Sequence, residues 1–170
     1  MHWPIFSLIL FIAAVLQITL GRFLPFADHL IRPDFLAFLA LFFAFYTPRR
    51  HAPLAAWIIG FTADLLSLGT PGAFAFSFGM LAIFSVWARQ ILYPNHPISR
   101  IILAFGWTFL AHVFSFAVPC LLGRRTFSDL IPFLSLSFCI ALYTAAFTPV
   151  YYLLAAGRRW FTVPISTKRF

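Results

Sequence analysis

Acidic side chains are almost missing from this sequence: four aspartates and no glutamate stand among 170 residues. General acid–base catalysis by paired carboxylates therefore has few candidates. Charge of either sign is scarce, at 9% of residues against about 25% in an ordinary soluble domain. A soluble fold of this length needs a polar outer layer, and too few polar side chains are present to build one. Cysteine is limited to Cys120 and Cys139, with no CxxC and no zinc spacing, so neither a disulfide framework nor a structural metal is expected. GxSxG, HExxH and Walker loops are all absent. Neither catalysis nor a cofactor is expected.

What fills the sequence instead is hydrophobic side chain, 62% of the total, arranged in long blocks. Blocks of this kind are stable in a bilayer. Six can be marked between charges and prolines: 4–20, 34–47, 53–69, 72–88, 101–122 and 130–156, with a basic cytoplasmic tail at 157–170. The expected fold is an all-α integral membrane protein, one compact bundle of six short transmembrane helices in a single domain. The opening lacks a basic n-region and a small-x-small cleavage site, so it is expected to stay as the first span.

The second block is short, about 24 Å from Pro33 to Pro48 at 1.5 Å per residue. FLAFLALFFAFY nevertheless has no polar face, which argues for a crossing over an interfacial helix. The net charge of +8 lies largely in arginine and lysine pairs between blocks, the pattern of topology determinants and anionic-lipid contacts, not of nucleic-acid binding. With six spans, eight basic residues fall on the side of both termini and four on the other, which makes both termini cytoplasmic. Five spans would give ten against two, so the apolar second block decides for six.

Asp64, in GFTADLLSLGTPG, lies near the end of the third block, where the helix dipole opposes a carboxylate. The tight turn after it brings the start of the fourth block close. Asp64 is therefore expected to bind backbone N–H groups around Gly72–Phe74, with Arg22 or Arg32 as counter-charge. Ala52, Ala56 and Gly60 run into Asp64 at four-residue spacing, and Ala75, Gly79 and Ala82 form a similar stripe. Such stripes let helices approach closely in lipid, and packing of the third helix on the fourth is favoured over a dimer face. His112, midway along the fifth block, is expected to be neutral and bonded to a hydroxyl or carbonyl. Gln17 is a lone amide that needs an interhelical partner, and Asp34 stands where a helix start is expected.

The segment from Arg32 to Trp107 resembles the rod shape-determining protein MreD family. The resemblance rests on Pro33-Asp34 opening a short apolar helix, then Pro48-Arg49-Arg50. It rests further on Gly60, Asp64, Leu65 and Ser67 with Gly69 and Gly72, and on the later HPISR. It implies a bacterial inner-membrane scaffold of the cell-elongation complex that organises a bitopic MreC-like protein. The peptidoglycan synthases and MreB are implied as indirect partners, and a homodimer is left open. It also implies a fold similar to the substrate-binding components of ECF-type transporters. A small-molecule-binding subunit is accordingly the alternative, although the first span lacks their Ala-x-x-x-Ala spacing: Gln17 follows Ala13 and Ile18 follows Ala14.

The topology can be checked directly. Reporter fusions at Ala27 and at His51 are expected to lie on opposite sides of the membrane. If both report the same side, the second block does not cross.

Overall fold

A computed structural model describes residues 3–23, 32–67, 69–89, 97–124 and 130–147. Six helices follow one another: α1 (Trp3–Phe23), α2 (Phe35–Tyr46), α3 (Ala52–Leu66), α4 (Ala73–Ala88), α5 (Pro97–Leu121) and α6 (Leu130–Ala146). No strand occurs among the described residues. The end of the sixth block, 148–156, and the tail, 157–170, lie outside them.

Local chemistry sets the helix ends. Asp34 caps α2, its side chain accepting from the Ala37 amide. At the other end, Pro48 pushes Thr47 into extended backbone (φ −90°, ψ 150°), and α2 stops there. Pro53 stands in the first turn of α3, where a missing N–H costs nothing. Gly72 precedes α4 at φ +92°, a left-handed conformation that a Cβ would strain. Helix α5 closes in a Schellman turn: Gly123 at φ +66° donates to the Cys120 carbonyl, and Arg124 N–H donates to the Pro119 carbonyl.

Helix α2 is the centre of the bundle. It touches α1, α3, α4 and α5, and none of its residues is exposed. Leu36, Ala37, Ala40, Leu41, Phe43 and Ala44 form its buried face, which explains a sequence with no polar stripe. Helix α6 packs on α5.

The α3–α4 pair is the closest approach. A Cβ on Gly60 would lie 2.5 Å from the Phe74 carbonyl oxygen and 2.7 Å from the Ala75 Cα, so backbone occupies the space a side chain would need. Ala56 and Ala75 are buried beside it. On α4, Ala82 is also buried, and a Cβ on Gly79 would lie 3.4 Å from the Trp57 ring. Both small-residue stripes are thus consumed inside the bundle.

The outside is apolar. Leu8, Phe11, Leu65, Ile83, Trp87, Ile102, Ile131 and Leu142 are all exposed. Surface of this kind in water marks an interaction site or an aggregation hazard, whereas in lipid it is simply solvated. Among the described residues one stretch, Ile101–Leu121 of α5, is long and apolar enough to cross a bilayer by itself, and the apolar stretches of the other helices, such as Trp3–Thr19 of α1, are shorter.

Candidate functional site

The short length of α2 creates the site. Twelve residues reach about 18 Å, well short of a bilayer core of roughly 30 Å. Its first turn therefore opens among the side chains of other helices, with Pro33 and Asp34 both buried. The first four amides of a helix have no partner within it, and inside an apolar bundle each needs an acceptor. Side chains from three elements supply acceptors for three of the four. The Asp34 amide donates to Thr144 Oγ1 of α6 at 3.0 Å. The Phe35 amide donates to Gln17 Oε1 of α1 at 2.8 Å. The Ala37 amide donates to the Asp34 carboxylate itself at 2.9 Å.

The other carboxylate oxygen of Asp34 meets His112 Nε2 of α5 at 3.4 Å. The separation is that of an ion pair, but the ring N–H is not aimed for a hydrogen bond, and Nε2 has no other partner. The Phe74 ring of α4 stands edge-on to the imidazole, with centroids 5.5 Å apart. His112 therefore faces a carboxylate and an aromatic ring, and the expected hydroxyl or carbonyl partner is replaced by Asp34. Ser115 donates to the His112 main-chain carbonyl, not to the ring.

Asp64 solves the same problem for α4. One carboxylate oxygen accepts from the Phe74 amide at 3.0 Å and the other from the Ala75 amide at 2.9 Å. The Ala73 amide turns back to the Thr70 carbonyl. The positive end of the α4 dipole thus offsets the unfavourable position of Asp64 in the last turn of α3. Gly60, one turn earlier on the same face, makes the bidentate contact possible by letting the backbones close. The arginine counter-charge is a different matter. Among the described residues no ion pair joins Asp64 to Arg32, and the Arg22 side chain lies outside them.

Phe74 connects the two carboxylates, since its amide binds Asp64 while its ring packs on His112. Every helix of the bundle contributes an atom to this connected network. The opposite end of the bundle has other chemistry. Pro48, Arg49 and Arg50 are exposed in the α2–α3 turn, and Arg89 Nη1 after α4 donates to the Thr47 carbonyl at 2.8 Å. No group of three or more histidine, cysteine, aspartate or glutamate side chains placed to hold a metal occurs among the described residues.

Two parts of the network escaped the sequence. Thr144 carried no motif, being one hydroxyl in an apolar block. Asp34 and His112 are 78 positions apart, and their meeting follows only from how far α2 stops short. Counting back from Thr47 would have placed Asp34 inside the bundle, where a buried carboxylate needs partners.

These features define a class: an all-helical bundle, apolar outside, whose buried polar groups join helix to helix. The chain belongs to the rod shape-determining protein MreD family, matched over residues 1–156. That family is one of membrane proteins with a role in determining rod shape. No curated protein and no solved structure matches the chain. The expected likeness to substrate-binding components of ECF-type transporters, and the solute-binding function it carried, therefore find no support.

The Asp34–His112 contact can be weighed by a double-mutant cycle of Asp34→Asn and His112→Ala, read as unfolding free energy in mild detergent. The expected coupling is about 0.5–3 kcal/mol. Additive losses would mean that the imidazole and the carboxylate are neighbours without energetic consequence.

Proposed function

We propose that this protein is a non-catalytic membrane scaffold of the rod-shape system. On this reading it holds an MreC-like single-span protein and, through it, influences MreB and the peptidoglycan synthases. Family membership over residues 1–156 carries the proposal. The chemistry of the interior supports it: Asp34, Asp64, Gln17 and Thr144 are all engaged with helix amides. Such groups stabilise a fixed shape, and a fixed shape is what a scaffold offers its partner.

The proposed setting is the inner membrane, crossed six times with both termini in the cytoplasm. This orientation puts the Asp34 and Asp64 end outward and the Arg49, Arg50 and Arg89 end inward. The basic-residue distribution supports it. Aromatic placement agrees, because Trp3, beside His51, and Trp87, two residues before Arg89, are exposed near the arginine end. A partner helix would pack on the apolar exterior, not on the small-residue stripes, which α3 and α4 use on each other.

Affinity purification of the tagged chain from its native membranes tests the proposal. An MreC-like bitopic protein is expected to co-purify and to be lost when its own membrane helix is replaced. The contrary result is a purified chain that, alone in liposomes, binds or moves a small solute with saturable affinity.

A further inference from the structure

The arginine end of the bundle carries positive charge that no acidic side chain among the described residues balances. Arg49 and Arg50 are exposed in the turn between α2 and α3, and Arg89 follows the last residue of α4. Arg89 lies across the end of α2, where its Nη1 holds the Thr47 carbonyl. Its Nε and Nη2 are buried without an acceptor. Burial and then the neighbouring Arg49 charge push the Arg89 pKa down to about 10, so at neutral pH it stays charged beside a like charge.

No carboxylate among the described residues is at hand. Asp34 starts α2 and Asp64 ends α3, both at the far end of helices that meet in the arginine turn. The other two aspartates, Asp28 and Asp129, lie outside the described residues. Among the described residues, no acidic group lies within ion-pair reach of Arg49, Arg50 or Arg89.

An anion at Arg49 and Arg50 relieves the like-charge repulsion at this end. Guanidinium forks match phosphate oxygens in shape and charge. The tryptophans at this end identify the source of the phosphate. Trp3 and Trp87 are exposed, and Trp57, in the first turns of α3, is exposed as well. Exposed indoles on an apolar bundle collect at the membrane–water boundary, the depth at which lipid phosphates lie.

We propose that this end is a headgroup site for an acidic phospholipid. Arg49 and Arg50 hold the phosphate, while Arg89 fixes the turn that presents them through its bond to Thr47. The proposal rests on the membrane placement of the bundle and is independent of the scaffold role. A failed partner purification leaves it standing, and its own failure leaves the scaffold reading standing.

The test uses the full chain in mild non-ionic detergent, titrated with phosphatidylglycerol and followed by native mass spectrometry and thermal unfolding. Phosphatidylcholine, inorganic phosphate and polyglutamate serve as comparison probes. Phosphatidylglycerol is expected to bind and to raise the unfolding temperature more than the others. Affinity should fall about fivefold for Arg50→Gln and roughly 25-fold for Arg49→Gln/Arg50→Gln, the scale of one basic side chain each at an anionic surface. Arg124→Gln, exposed after the turn that ends α5, should change nothing. Both substituted arginines are exposed, so folding without lipid should match the parent, and Arg50→Gln alone suffices if the double variant is unstable.

Four outcomes would overturn the proposal. Equal binding of phosphatidylcholine would remove the preference for an acidic lipid, and an equal loss with Arg124→Gln would remove the site. An equal shift with inorganic phosphate would make it a free-anion site. Tighter binding of polyglutamate would give the site to an acidic protein segment.

Discussion

A helix that begins inside an apolar bundle exposes amide donors where no water can reach them, and two of the helices here begin that way. The Asp64 carboxylate takes the Phe74 and Ala75 amides of α4. Asp34, Gln17 and Thr144 take three amides at the start of α2. An unpaired buried donor costs about 1–3 kcal/mol, a large share of the marginal stability of a folded chain. The close packing around these bonds follows from them. Gly60 is bare because the α4 backbone must come near enough for Asp64 to reach it. Phe74 is held at both ends, by amide and by ring, so α4 cannot shift without disturbing α5.

The two ends of the bundle are opposite in chemistry for a related reason. Carboxylates sit at helix starts, where the dipole is positive, and Arg89 binds a carbonyl at a helix end, where it is negative. Asp34 and Asp64 serve the structure of one end, and among the described residues no carboxylate pairs with the arginines of the other. That imbalance is tolerable beside anionic headgroups and would be wasteful in a soluble domain. On the proposed scaffold reading, such a bundle leaves its outside to a neighbouring helix while its inside is committed.

Much of this was legible beforehand, and the exceptions have physical causes. Six apolar blocks marked six helices because charges and prolines punctuate them, and Pro48 and Pro53 bracket a turn in any environment. The Asp64 contact could be foreseen because it is local: a tight turn leaves the carboxylate only the next helix start to meet. The amides it takes are those of Phe74 and Ala75, one residue further on than the stretch expected from the turn. Asp34 was legible as a helix start but not as the partner of His112, since pattern along the chain carries no information on depth across a bundle. Thr144 was invisible for a different reason. A threonine in an apolar helix returns its hydroxyl hydrogen to its own turn, here to the Ile140 carbonyl, and its spare lone pair for the Asp34 amide leaves no mark in the sequence.

The claim on which the account depends is that the Asp64 carboxylate binds α3 to α4, and the unfolding free energy of Asp64→Ala in mild detergent measures it. A loss of about 1–3 kcal/mol relative to the parent is predicted, with Asp64→Asn, which keeps one acceptor, in between. An Asp64→Ala protein as stable as the parent would contradict the account, and if rod-shape function were abolished in that same protein, Asp64 would be a contact for a partner instead of a structural anchor.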